Sequence, residues 1–182
     1  MSPKPLVIGV VGTGFAASFH LANYRKVYGV ELRIKGAASR TSEGSEAFVE
    51  RHSLEKAYPS VEALIEDPEI TVVDLCVPNA MHHPLVIQAA AAGKDIICEK
   101  PLTGYFGDGT LESVGKEVAR RDMFQHALDS ADAMAAAVAR CGVQLCYAEN
   151  WIYAPSVQKA NELLGKSDNT ILRIVAEESH SG

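Results

Sequence analysis

Short apolar runs alternate with helical patterns through the first hundred residues, and this alternation leaves the chain few possible folds. Three of the runs are continuously apolar or nearly so: PLVIGVV at residues 5–11, ITVVDLCV at 70–77 and KDIIC at 94–98. A strand that is apolar on both faces must be covered on both sides, as happens in parallel sheets flanked by helices. The sequence therefore predicts an α/β fold with a doubly wound parallel sheet of the Rossmann type.

The intervening segments complete a β–α series. Helices are predicted at residues 14–28, 42–51, 61–67 and 83–93, and further strands at 30–39, within 56–60 and at 142–148. Ser60 can cap the helix at 61–67, because its hydroxyl can accept from an unpaired amide of the first turn. Gly93 can end the helix before it, since glycine adopts the left-handed C′ conformation at little cost.

The regular alternation stops after residue 104. Residues 105–125 are rich in glycine and charge and show no clear period. Five apolar residues then recur at helical intervals and predict one apolar helix face. They are Phe124, Leu128, Ala131, Ala135 and Val138.

A change of pattern near Trp151 predicts a domain boundary. Pro155 predicts the start of a helix that runs to about Leu164, because proline suits the first helical turn. Residues 170–179 alternate apolar and polar side chains, which indicates a strand in a sheet with one open face. We expect a first α/β domain at 1–150 and the truncated start of a second at 151–182.

The stretch VIGVVGTGFAASFH places a Gly-x-Gly-x-x-Ala motif between the first strand and the first helix. Gly12 permits a tight turn, Gly14 lets a pyrophosphate approach the backbone, and Ala17 lets the helix lie close to the sheet. The free amides here, with the positive helix end, can hold phosphate oxygens. In this β–α context the motif indicates dinucleotide binding; the alternatives are a tight turn without ligand or a methyl-donor site. The candidate residues are Gly12, Thr13, Gly14, Phe15, Ala16 and Ala17.

In such folds, residues at the end of the second strand contact the ribose of the adenosine. An acid there binds the 2′-hydroxyl of NAD, whereas an arginine nearby can accept the 2′-phosphate of NADP. This chain has Ser39, Arg40 and Thr41 at that point and no acid. The sequence therefore favours NADP over NAD. The alternative is that Arg40 stacks on the adenine and either cofactor is accepted.

Two polar segments follow the fourth and fifth predicted strands, CVPNAMHH and CEKP. The carboxyl ends of parallel strands meet at the edge where ligands bind. For Asn79 alone, capping of the following helix is an alternative interpretation.

Together these segments resemble the Gfo/Idh/MocA family, which includes glucose–fructose oxidoreductase and inositol 2-dehydrogenase. The resemblance rests on GVVGTGFAASFH, on VPNAMHHPLVIQAAAAGKDIICEKPLT and on LCYAENWIYAPSVQKANELL. It implies an N-terminal Rossmann domain that binds NAD or NADP. It also implies a C-terminal α/β domain that shapes the substrate site and usually forms a homo-oligomer interface. Most characterised members transfer hydride between the nicotinamide and a sugar, polyol or related molecule.

The resemblance also assigns roles to single residues. It makes Lys100 the catalytic lysine that contacts the reacting hydroxyl, and partial burial would suit that role by lowering its pKa. It places Glu99 near the nicotinamide, and Pro101 after a peptide bond that is commonly cis and would aim the lysine. The remaining residues implied near the nicotinamide end are Pro78, Asn79, His82 and Asn150.

Two departures from the family pattern stand out. Common members run from this lysine motif into the next helix, whereas here residues 105–125 intervene as a lid, a specificity loop, an oligomer contact or a disordered insertion. The family's other catalytic residues, an Asp and a His about four apart, would fall beyond Gly182. We therefore expect a fragment that binds cofactor and is inactive alone.

Composition narrows the possible partners. The net charge is −6 without a basic stripe, which argues against nucleic acid, and no apolar stretch is long enough for a membrane span. The four cysteines lack CxxC spacing, which predicts free thiols in a reducing cytoplasm and no metal site. The leading hypothesis is an NAD(P)-dependent oxidoreductase with a sugar-like or polyol substrate. The rival is a non-catalytic dinucleotide sensor or regulator.

Overall fold

The structure is a computed structural model that describes residues 5–107, 109–110, 112–167 and 170–175. The chain divides into two compact units, Met1–Ala148 and Glu149–Gly182. The first unit contains the sheet. Its strands are β1 (Leu6–Val11), β2 (Leu32–Ala38), β3 (Lys56–Ala57), β4 (Val72–Leu75), β5 (Asp95–Glu99) and β6 (Leu145–Ala148).

The six strands pair in parallel in the order β3-β2-β1-β4-β5-β6. The order reverses direction at β1, so the carboxyl ends of β1 and β4 flank the crevice where open α/β sheets bind ligands. The predicted doubly wound parallel sheet is confirmed.

Helices cover both faces of this sheet. The helices of the first unit are α1 (Phe15–Tyr24), α2 (Ser42–His52), α3 (Val61–Ile65), α4 (His82–Ala91), α5 (Val114–Glu117) and α6 (Arg120–Cys141). Successive residues of a strand point to opposite faces. Accordingly, Ile8 and Val10 of β1 pack on the side of α1 and α2, whereas Val7 and Val11 pack on the side of α3, α4 and α6.

The predicted helix ends are confirmed where a local signal defined them. The Ser60 hydroxyl accepts from the amide of Ala63 at 3.1 Å. Gly93 follows α4 with φ +72°, the left-handed conformation expected of it. These ends depend on one or two side chains and need no tertiary contact.

The predicted apolar face of α6 is correct only in part, since Ala131 and Val138 are half-buried and Val138 packs against the core. Phe124 is 64% exposed and Leu128 is 40% exposed, whereas Met134 and Ala137 are buried. The buried face of α6 lies against α4, where the His83 ring nitrogen and the Ser130 hydroxyl are 2.8 Å apart. The contact with α4 therefore decides which face of α6 is buried, and that face holds Met134 and Ala137 rather than Phe124.

The second unit begins with a 3₁₀ turn, Asn150–Tyr153, followed by α7 (Pro155–Gly165). Pro155 occupies the start of α7, as predicted. The strand predicted at 170–179 is absent from residues 170–175, which have no regular secondary structure, and its remainder lies outside the described residues. Across the described ranges, no helix has both the length and the apolar character needed to span a bilayer.

Candidate functional site

The glycine turn after β1 has the geometry that its sequence predicts. Gly12 has φ +105°, and a Cβ placed there would lie 2.1 Å from the carbonyl oxygen of Cys76, so only glycine fits. By contrast, a Cβ on Gly14 would meet no atom within 4 Å. Gly14 is the N-cap residue of α1, and no side chain accepts a hydrogen bond from the amides of the first turn. These amides are therefore available to an anion. Ala17 is fully buried beneath this turn.

A cleft of ≈ 610 Å³ opens at the carboxyl edge of the sheet. It brings together three segments that are far apart in sequence: the glycine turn, the end of β2 and the loop after β4. The predicted cofactor residues that line it are Gly12, Thr13, Gly14, Ser39, Arg40, Thr41 and Pro78. The predicted cofactor residues of the first unit that do not line it are Phe15, Ala16, Ala17, Asn79, His82, Glu99, Lys100 and Pro101.

The wall of the cleft after β2 is rich in donors and backbone amides. The Thr41 hydroxyl accepts from the amide of Gly44 and so caps α2, while the Ser39 hydroxyl donates to the Thr41 carbonyl at 2.8 Å. Arg40 is exposed at the rim. A helix start beside an arginine suits a phosphate group better than it suits a neutral hydroxyl.

The loop after β4 and the segment after β5 are joined by a buried histidine. His82 is fully buried, and its ring nitrogens lie 3.0 Å from the Pro101 carbonyl oxygen and 3.2 Å from the Val77 carbonyl oxygen. The structure thus places the His82 ring in the protein interior, where it links the two loops. Asn79 lies in a 3₁₀ turn, and α4 receives no side-chain cap within the described residues, so the capping interpretation of Asn79 is wrong.

Glu99 and Lys100 lie at the carboxyl end of β5. The Lys100 side chain is exposed, so the partial burial expected for it is not found, and its backbone N–H donates to Glu99 Oε2 at 2.9 Å. The Lys100–Pro101 peptide is cis. Asn150 belongs to the second unit, at the start of its 3₁₀ turn, and its role stays a prediction.

A chain of hydrogen bonds that the sequence did not reveal leads from the core to this edge. His20 on α1 lies with Nδ1 3.0 Å from Asp74 Oδ2 and with Nε2 3.0 Å from Glu99 Oε1. Tyr24 also donates to Asp74 Oδ2, at 2.8 Å. Hydrogen bonding to Asp74, more than any other cause, raises the pKa of His20.

Two signals could have revealed this chain of residues. His20 stands three residues after Ala17 and one before Leu21, and both of those residues are buried on the inner face of α1. Asp74 interrupts an apolar strand, and a carboxylate buried there needs a partner. The sequence could not name the partner, because that depends on the order of the strands.

The same residues include a set of possible metal donors. Atoms of His20, Asp74 and Cys76 lie within 4.8 Å of one another. Because Tyr24 and His20 both hydrogen-bond to Asp74, this carboxylate has partners without a cation. The arrangement is therefore explained by hydrogen bonding. All four cysteines are free, and Cys98 is buried.

A parallel sheet in this order, with a glycine turn opening on a cleft at its carboxyl edge, defines a dinucleotide-binding Rossmann domain. Comparison with protein families gives the next step. Residues 6–122 match the family model described as "Oxidoreductase family, NAD-binding Rossmann fold" (GFO_IDH_MocA). The chain belongs to this Gfo/Idh/MocA oxidoreductase family, as its motifs predicted.

Individual proteins of known name are also similar to this chain. Levoglucosan dehydrogenase of Pseudarthrobacter phenanthrenivorans is 35% identical over 104 residues, which are 53% of this chain and 26% of that protein. An NAD-binding oxidoreductase structure from Klebsiella pneumoniae superposes with a TM-score of 0.73 at 28% identity, over 91% of this chain and 40% of that one. A levoglucosan dehydrogenase structure with NADH and levoglucosan has a TM-score of 0.73 at 26% identity, over 90% and 40% of the two chains. The chain thus spans well under half of the length of these relatives.

Proposed function

We propose that this chain forms the cofactor-binding part of an NAD(P)-dependent oxidoreductase that acts on CH–OH or C=O groups of a sugar, a polyol or a related small molecule. The observation that carries the proposal is the cleft, where the glycine turn, residues 39–41 and Pro78 meet. The substrate class is supported by the similarity to levoglucosan dehydrogenase, whose structure was solved with a sugar.

The cleft residues fit the successive parts of a dinucleotide. The open amides at the start of α1 would hold the pyrophosphate beside Gly14, and Arg40 at the rim would face the adenosine ribose. Pro78 and Asn79 would border the nicotinamide end, because their loop follows β4 across the crevice. The bound cofactor would supply the hydride acceptor or donor.

Lys100 would act on the proton of the reacting hydroxyl. Its ammonium group is exposed at the carboxyl end of β5 and can reach a substrate that lies above this edge. A lysine can serve as acid or base if its surroundings favour the neutral amine, and a bound cofactor and substrate would desolvate it. This residue favours an enzyme over a sensor, since binding alone does not require it.

We expect the 182-residue chain to bind dinucleotide in solution. Titration calorimetry with NADP⁺ and with NAD⁺ should show binding of at least one, because the described cleft lies within the first unit. An absence of measurable heat at several temperatures, for both cofactors, would contradict the proposed function.

Arg40→Ala should weaken NADP⁺ more than NAD⁺. The arginine stands where the 2′-phosphate would lie, and a charge-assisted hydrogen bond of about 1.5–3 kcal/mol corresponds to roughly ten- to a hundredfold in affinity. The matched control is Arg121→Ala, on exposed α6 and outside the cleft, which should bind as the wild type does. Equal losses for the two cofactors would remove the preference for NADP.

A further inference from the structure

We propose that His20 is a positioning residue of the cofactor site: it donates from one ring nitrogen to Asp74 and from the other to Glu99, and so fixes the segment that carries Lys100. This inference rests on the proposed function, which makes Lys100 catalytic. It goes further, because it assigns a role to a side chain outside the cleft and gives the site a dependence on pH.

The His20 ring lies between two carboxylates. Each ring nitrogen of His20 lies 3.0 Å from a carboxylate oxygen, of Asp74 on one side and of Glu99 on the other. With both carboxylates ionised, each can only accept, so both ring nitrogens of His20 carry protons and the ring is an imidazolium. One cation between two anions leaves one negative charge in excess. Loss of the His20 proton would set a nitrogen lone pair against one carboxylate.

His20 is held in place by Asp74 and Tyr24. Asp74 is a fully buried residue of β4 and is also held by the Tyr24 hydroxyl at 2.8 Å. The rings of His20 and Tyr24 pack edge to face with centroids 6.0 Å apart. His20 is thus anchored to the core on its Nδ1 side, and only its Nε2 side faces the edge of the sheet.

Glu99 connects His20 to the backbone of Lys100. Both oxygens of Glu99 are engaged: Oε1 accepts from His20, and Oε2 accepts from the backbone N–H of Lys100 at 2.9 Å. Glu99 therefore transmits the position of His20 to the backbone at Lys100. This path therefore joins α1, which begins at the glycine turn, to the segment at the end of β5 that carries Lys100.

The charged and titratable groups that face His20 define the pH range of the effect. They are Asp74 on β4, Glu99 on β5, Tyr24 on α1 and Cys76 after β4, whose sulfur is 3.5 Å from Nδ1. Burial raises the pKa of Tyr24 and of Cys76 above their ordinary values, so both stay neutral while His20 titrates. The pKa of His20 is itself raised, chiefly by Asp74. The arrangement is therefore complete at low pH and is lost as pH rises through that raised value.

The test compares a whole dinucleotide with the same molecule lacking nicotinamide. Wild type, His20→Gln and Glu99→Gln are titrated with the preferred cofactor and with its ADP-ribose fragment, between mildly acidic and mildly alkaline pH. Each variant should bind the dinucleotide about tenfold more weakly, because Glu99 is proposed to lie near the nicotinamide, and should bind the fragment within about twofold of wild type. Wild-type affinity for the dinucleotide should fall at alkaline pH, and the variants should lack that fall. Equal losses for both molecules, or none, would overturn the proposal.

A second measurement determines the protonation state of the His20 ring directly and needs no cofactor. Nitrogen NMR of the histidine side chains should show both ring nitrogens of His20 protonated at neutral pH, and its pKa should drop in Glu99→Gln. His126→Gln, on the exposed surface of α6, serves as the assignment control and should leave the His20 signals unchanged. A neutral His20 at pH 7 would overturn the proposal. If wild type bound neither molecule, the proposed function would fail, while this measurement would still decide the state of His20.

Discussion

Lys100→Ala, made in the intact enzyme that contains this chain, is expected to remove most turnover while cofactor affinity stays nearly unchanged. The Lys100 side chain is exposed at the end of β5, and its only hydrogen bond in the described structure comes from its backbone N–H. Truncation therefore leaves Glu99 and the cleft in place. Loss of a positioned acid or base typically costs about 10²–10⁴ in rate, which is the fall in kcat that we expect.

The measurement is steady-state kinetics on a panel of sugars and polyols, followed by the absorbance of the reduced nicotinamide. Lys100→Arg is the informative companion, because arginine keeps the positive charge but does not give up its proton in proteins. If Lys100 serves only as a charge, the arginine variant should retain much of the activity. If it transfers a proton, both variants should be slow. Near-normal turnover of Lys100→Ala would refute the proposed role.

Features that depend on neighbouring residues were predictable from the sequence. The glycine turn, the Ser60 cap, the helix end at Gly93 and the start of α7 at Pro155 each follow from the chemistry of one or two side chains. The parallel sheet was predictable for a related reason. Apolar strands separated by helices have few ways to bury both faces, and the observed sheet is one of them.

Features that depend on which elements become neighbours were not predictable. The apolar spacing along α6 suggested a face containing Phe124, yet Phe124 is exposed, and the buried face holds Met134 and Ala137 beside the half-buried Val138. His82 was assigned to the cofactor loop by its place in a motif, and its burial became visible only with the loops on both sides of it.

The chain of hydrogen bonds through His20, Asp74 and Glu99 also depends on which elements become neighbours. Asp74 and Glu99 are far apart in sequence, and they share His20 only because β4 lies between β1 and β5. The sequence pattern shows that each of these polar residues stands among apolar ones. It does not show that they bond to one another, because that depends on the order of the strands in the sheet. The insertion at 105–125 illustrates a further limit, since its sequence left four roles open. In its described residues, the structure shows the short helix α5, the start of α6 at Arg120 and a stack of Tyr105 on His126 with ring centroids 4.6 Å apart, so the predicted irregular segment ends before residue 125.

Gly12→Ala and Gly14→Ala are expected to fail for different reasons, although both lie in one motif. At Gly12 the new Cβ would stand 2.1 Å from the Cys76 carbonyl oxygen, in a backbone with φ +105° that alanine rarely adopts. Strain and overpacking each cost about 1–3 kcal/mol, so this variant should be destabilised by several kcal/mol in all. Chemical denaturation should show a lower midpoint, and cofactor binding should be lost with the fold.

At Gly14 the protein itself has room, because a Cβ there meets no atom within 4 Å and the backbone is extended, with φ −87° and ψ −164°. Replacement of a glycine in a conformation that alanine can adopt is neutral or slightly stabilising, by up to about 1 kcal/mol. The space that the Cβ would fill is the space proposed for the pyrophosphate, so affinity for the dinucleotide should fall at least about tenfold. The pair thus separates two uses of glycine: at Gly12 the fold requires it, and at Gly14 only the ligand does. A Gly14→Ala variant that binds cofactor as wild type does would show that the phosphates lie elsewhere in the cleft.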